Sequence, residues 1–395
     1  MAAQKDLIVS VENRWELLTR ELTLHFVVSG DEGAPDVQDV RLRLAEHPEW
    51  ITINSDTGLF TLDERTVRQY FADEQTFLPR PAHAVSKDAK DNGYVTRSTI
   101  IGEPAGGFRL NHAEAARAVM QAVDDNNNNV TINAAYEAPR LFVITDEGTV
   151  QLSLLSRGIS DFKGSAYGRL ANVEKALEGQ LRGVIIPNGE AFSFNKAIAG
   201  GVGWRDAYVI ANGGELVMEP GGGICQAATT AFRAAVLAGL PIEKRANHSL
   251  YVTYYKAYGV GIDATVYAGK QDFTFRNDTG NEMIMLARAD GTDAIVELYG
   301  VPDGRTVDVQ GPFFAKGDSS ALEGRVNPLK INQIGWTYDV QYPDGGVVRD
   351  EIVSTYKVLP KTLAVEYEGG RGIGELLGEF GTGSVVPVKT VAQER

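Results

Sequence analysis

The chain has 395 residues, 43% of them hydrophobic, and a formal net charge of −14. That is long enough for about two to four domains, apolar enough to fill a core, and too acidic for nucleic acid to be the main partner. Its single cysteine excludes an internal disulfide framework and a multi-cysteine zinc site.

Sparing use of thiols is compatible with an extracytoplasmic setting. No apolar stretch is long enough to span a membrane. Met1 to Asp6 is too polar for a secretory leader, so an exported protein would carry its leader or anchor outside this sequence.

Residues 6–30 alternate moderately and read as strand, as do Val37 to Leu44. Trp50 to Asn54 and Leu59 to Leu62 flank Ser55-Asp56-Thr57-Gly58 as a hairpin. Asp63 to Phe71 has an acidic start and the spacing of a short helix. Residues 78–106, rich in Pro, Gly, Ala and charge, suit a linker or long exposed loop. Asn111 is an N-cap for a helix over Ala113 to Val123, and Val130 to Tyr136 reads as strand.

From Leu152 the texture changes. Ala171 to Leu177 is a helix candidate, Gly183 to Pro187 a short buried strand, and Gly200 to Trp204 a glycine-rich loop. Segments beginning at Asn247, Ile262, Asp272, Asn281 and Ala294 read as successive strands. Thr306 to Gln310, Trp336 to Tyr342 and Val347 to Lys357 form a small β module, with a hairpin turn at Asp344-Gly345-Gly346. The fold class is α+β and multidomain. The expected divisions are a β-rich module at 1–80, a linker at 81–106, a strand–helix–strand module at 107–150, a cysteine domain at 151–300, a β module at 301–362 and a glycine-rich tail at 363–395.

The cysteine domain is organised around Gly221-Gly222-Gly223-Ile224-Cys225-Gln226, followed by the helix-forming run Ala227 to Leu237. A thiol at a helix N-terminus meets unpaired N–H groups and the positive end of the dipole. Both lower its pKa and raise its nucleophilicity. His248 lies 23 residues on and Asp263 another 15. Cysteine acyl transfer needs a thiolate, an imidazole to carry its proton and a polar group to orient that imidazole. These residues fill those roles in that order.

Backbone N–H groups near Gly223, and the Gln226 amide, are candidate oxyanion donors. Ser193 and Asn195 alternate with Phe192 and Phe194, so the polar pair would face a cleft. Arg245 would hold a substrate carboxylate by bidentate bonds. Glu190, Glu215 and Glu219 raise a rival, the paired-carboxylate chemistry of glycan cleavage. No His-rich spacing indicates a metal, and Gly200 to Gly203 lacks the Gly-Lys-Ser/Thr of a phosphate-binding loop.

With these residues in view, the stretch 155–285 resembles the VanW family. The likeness rests on Gly189 to Asn195, on Gly221 to Gln226 with Thr229-Thr230, on Arg245 with His248-Ser249, and on Gly261 to Val266. Ala227-Ala228 stand where Val-Ser is common, and Asn247 where Pro is common. Residues 108–140 resemble the peptidoglycan-binding module that often precedes such domains, and 305–360 are similar to the G5-type β modules that follow them.

The family is named from a vancomycin-resistance cluster, and the resemblance implies work on cell-wall peptidoglycan, outside the cytoplasm and without a cofactor. It implies an L,D-transpeptidase in which Cys225 attacks the L-centre carbonyl of a stem peptide, releases the terminal D-Ala and passes the acyl group to a neighbouring amine. His248 would shuttle the proton and Asp263 would orient it. Ser193, Asn195, Arg245, Ser249, Gln226 and Gly223 would line the site. A non-catalytic cell-wall scaffold and a carboxylate-dependent glycan-cleaving enzyme are the rival expectations.

Overall fold

The computed structural model describes residues 11–28, 39–73, 80–91, 93–211, 215–251, 255, 258–316 and 320–357. The tail expected at 363–395 lies outside them. Two compact units divide the chain, one from residues 1–81 and 103–139, the other from 82–102 and the chain from 140 onward. Both mix helices with sheets, and the protein is α+β.

The first unit is built on a four-stranded sheet in the order Val40–Arg43, Glu21–Val28, Asn129–Glu137, Gly107–Leu110. The helix His112–Asp124 begins where expected, because the Asn111 side chain accepts the Glu114 N–H. It buries Ala115, Ala116, Val119, Ala122 and Val123, a stripe at helical spacing. Asp63 caps the helix Glu64–Asp73, accepting the Thr66 N–H at 2.8 Å. The expected hairpin pairs Ile51–Ile53 with Phe60–Leu62. The modules expected at 1–80 and 107–150 share this one sheet, because Glu21–Val28 pairs in parallel with Asn129–Glu137.

The second unit contains a closed seven-stranded barrel. Two of its strands, Ala82–Asp91 and Thr96–Ile101, come from the stretch expected to be a linker. Ala82 and Ala84 are fully buried there. Small side chains suit a crowded barrel wall, and alanines do not give a strand its usual branched signature. The helix Ile224–Leu237 packs against the barrel strand Gly148–Asp161. Gly158 permits that approach: a Cβ there would sit 2.5 Å from Ala234 N.

The strands Thr306–Phe314, Gln333–Gln341 and Val347–Thr355 form an antiparallel sheet. They were expected as a module apart. Instead Val307, Val309, Ile334, Trp336, Val340 and Ile352 join the buried cluster that contains Phe232 and Ala235 of the cysteine-bearing helix. A three-stranded sheet must bury one face somewhere, and this one buries it against the cysteine domain. Trp336 is 1% exposed, and its indole N–H donates to Val260 O at 2.7 Å. Trp336→Ala is expected to cost about 3–5 kcal/mol, read as a lowered denaturant midpoint for this unit.

Candidate active site

Gly223 opens the cysteine-bearing helix with φ at +107°, a left-handed conformation that disfavours any side chain. A Cβ on it would lie 2.8 Å from Arg169 Cγ and 3.1 Å from Arg169 O. One on Gly222 would lie 2.6 Å from Ala207 O. The glycines thus let a tight turn wedge between the helix Tyr167–Glu174 and the strand Asp206–Ala211. Asn172 fastens it, donating to Arg205 O at 2.8 Å and Gly222 O at 3.0 Å.

Cys225 is the second helical residue, as the glycine run predicts. The N–H groups of Ile224 and Gln226 are bonded to Gly221 O and Gly223 O. Those of Gly223 and Cys225 meet no acceptor among the described residues, and N–H groups in that position can hold an oxyanion.

Cys225 is half-buried. Its Sγ lies 3.5 Å from Val266 N, which donates to it, and 3.6 Å from Thr265 Oγ1. The nearby His248 ring acts on the ionisation of the thiol. Burial pushes the thiol pKa up, but the bond to His248, that ring's charge and the Val266 N–H together bring it below its ordinary value.

His248 is nine-tenths buried and sits in a loop rather than the expected strand. Asp263 Oδ2 accepts both its backbone N–H, at 2.8 Å, and Nδ1, at 2.6 Å. A carboxylate only accepts, so Nδ1 carries hydrogen and Nε2 is left for the thiol proton. Burial pulls the imidazole pKa down, but the electrostatics of Tyr255 and the bonds to Asp263 and Cys225 raise it well above the usual value. Burial pushes the Asp263 carboxyl up, yet the His248 bond and charge, with the Arg245 guanidinium, hold it down at about 2. These shifts favour the ionised thiol and the protonated imidazole, with the carboxylate behind them held ionised.

Two further residues on the helix brace this arrangement. Thr229 Oγ1 donates to Ala264 O and accepts Ala264 N–H, each at 3.1 Å. Arg233 donates to Ile262 O, Tyr255 O, Gly259 O and Ile159 O. Burial lowers its pKa to about 10, which still leaves it charged at neutral pH. Sequence reading gave Thr229 no part in the site and passed over Arg233, although Cys225, Thr229 and Arg233 recur every four residues in a helix otherwise rich in alanine. Tyr356 was also missed; its hydroxyl donates to Asp263 Oδ1.

The other expected site residues have different duties. The Gln226 carboxamide is fully buried and committed. Its Oε1 accepts Arg169 Nη2 at 2.7 Å and its Nε2 donates to Ser160 Oγ at 2.5 Å and Asp161 O at 3.1 Å. One residue along a helix points some 100° away, so it faces the barrel strand and not the thiol's partners. Ser193 donates to Asp272 Oδ2 at 2.6 Å and caps the short helix Phe194–Ile198. That helix interrupts the alternation expected of Ser193 and Asn195. Asn195 donates to Asp272 Oδ1 and Gln271 O, which ties down a turn.

Arg245 is not a free carboxylate receptor. It donates to Asp263 O at 2.7 Å, Gly261 O at 3.1 Å and Ser354 Oγ at 2.5 Å, and lies 3.6 Å from Asp263 Oδ1. Ser249 is half-buried, and its carbonyl accepts the Lys357 N–H.

The fold and site define an α+β domain around a helix-borne cysteine, backed by a buried histidine–aspartate pair. Residues 168–299 match the model of the VanW-like protein family, and the chain carries a VanW-like domain. Over 148 residues it is 34% identical to the uncharacterized protein YoaR of Bacillus subtilis (strain 168). That alignment covers 37% of this chain and 47% of the relative, so the chain spans about half the length of the curated relative it matches. No solved structure matches it. The VanW-like domain suggests a cell-wall-related protein.

Asp263→Asn removes the anion that stabilises the imidazolium. Alkylation of Cys225 by neutral iodoacetamide at neutral pH is expected to slow about tenfold or more, with its acid limb moved to higher pH. Gly223→Ala forces a side chain into a left-handed turn against Arg169. It is expected to lower stability by about 1–3 kcal/mol in a thermal melt.

Proposed function

We propose that this protein is a peptidoglycan L,D-transpeptidase that works through a Cys225 acyl-enzyme outside the cytoplasm. The observation that supports it most is the pairing of a helix-N-terminal thiol with an imidazole whose far nitrogen lies 2.6 Å from a buried carboxylate. The Cys225 thiolate adds to the L-centre carbonyl of a donor stem peptide, and the new oxyanion takes the N–H groups of Gly223 and Cys225. The His248 imidazolium then gives its proton to the departing D-Ala amine, and the C–N bond breaks. Neutral His248 next accepts a proton from the amine of a second stem as that amine attacks the thioester. The thiolate leaves as the new amide forms, and the imidazolium is restored. With water as acceptor the same steps trim the stem.

Nothing favours the glycan-cleaving reading. Glu190 lies in a turn and Glu219 on the strand Glu215–Pro220, and no contact links the two among the described residues.

The reacting pair needs the thiol ionised and the imidazole protonated. The thiol pKa is depressed and that of His248 raised. Activity is therefore lost as pH falls through the former and as pH rises through the latter. Muropeptide mass spectrometry after incubation with isolated sacculi is expected to show new cross-links, or trimmed stems, with wild type and none with Cys225→Ala. A carbapenem is expected to add its mass to wild type alone. Unchanged muropeptides with wild type, or an adduct on Cys225→Ala, would contradict the proposal.

A further inference from the structure

Tyr356 directly follows the last strand of the C-terminal sheet, well beyond the VanW-matched span of 168–299. It is 2% exposed, and its ring packs edge-on against Tyr251 with centroids 5.7 Å apart. The residues around it are fastened to the same place. Ser354 Oγ accepts Arg245 Nη2 and donates to Gly261 O, both at 2.5 Å. Lys357 N donates to Ser249 O at 2.8 Å, and Asn247 Nδ2 donates to Thr355 O at 2.8 Å. Residues 354–357 therefore form the backing of the segments that carry His248 and Asp263.

The Asp263 carboxylate is divided between two sets of partners. Oδ2 takes both donors of His248. Oδ1 takes the Tyr356 hydroxyl, with Arg245 Nη2 at 3.6 Å. We propose that Tyr356 is a positioning residue for the Cys225–His248 pair, its hydroxyl pinning Oδ1 so that Oδ2 stays on the imidazole. The inference rests on Cys225 being a thiolate nucleophile but not on which substrate it attacks.

Cys225 from the helix, and Tyr255 and Asp263 from the segments packed over it, face the imidazole. Arg245 and Tyr356 face Asp263, and Arg233 bonds the carbonyls of Ile262, its chain neighbour, and Tyr255. Without the hydroxyl, the carboxylate is free to turn toward Arg245. The imidazolium then loses its aligned partner and gives up its proton at lower pH, and the thiol ionises at higher pH.

The test follows iodoacetamide alkylation of Cys225 across pH in the full chain, for wild type, Tyr356→Phe and Tyr338→Phe. Tyr338 is the control, because it is buried in the same sheet but donates to Asp350 Oδ2 at 2.7 Å. Loss of a hydrogen bond to a charged group is expected to slow Tyr356→Phe about tenfold at pH values on the wild-type acid limb. Its acid limb should rise by about one unit, while Tyr338→Phe tracks wild type. A Tyr356→Phe profile that matches Tyr338→Phe, or shifts toward acid, overturns the positioning role alone. A wild-type thiol with only an ordinary alkaline profile overturns the nucleophile reading and this inference with it.

Discussion

A match of two repeats holds the site together. Four residues of helix rise about 6 Å, and two residues of extended chain advance about 6.6 Å. Cys225, Thr229 and Arg233 therefore meet Val266, Ala264 and Ile262 in turn, helix and extended segment running antiparallel. The segment needs no strand neighbour, because the helix's polar side chains satisfy its backbone groups. Asp263 lies between two of the bonded residues, so its side chain leaves on the other side, toward His248. Thiol, imidazole and carboxylate are thus set by one register.

That register carries a concentration of buried charge that a purely structural core would not need. Arg233, Arg245, Asp263 and His248 are all largely buried. Removing charges from water is costly unless each is bonded. Here the guanidinium groups end on backbone carbonyls and the carboxylate on His248 and Tyr356. The expense fits a site that must keep an ion pair poised. The VanW-matched span holds the reacting groups, but part of the bracing comes from outside it. Ile159 of the barrel accepts from Arg233, and Ser354 and Tyr356 of the last sheet hold Arg245 and Asp263.

Cys225, His248 and Asp263 were legible because residue type and local sequence suffice for them: a glycine run, a helix start, one nearby imidazole and one carboxylate. Gln226, Ser193, Asn195 and Arg245 were legible as polar residues near the thiol, but not as caps and braces. Their direction depends on the barrel strand and on the turn at Asp272, which local patterns do not encode. Tyr356 lies 93 residues from Asp263, and only the shared core brings it there. The barrel strands at 82–101 escaped notice because their buried positions are held by Ala82, Ala84 and Ser98 and not by branched residues.

Everything chemical here depends on the charge state of one sulfur, and ultraviolet thiolate absorbance reports it without any substrate. In a pH titration of wild type against Cys225→Ser, the thiolate band is expected to be present already at neutral pH and to vanish only on acidification. A band that first appears near the ordinary free-cysteine pKa of about 8.5 would contradict the account.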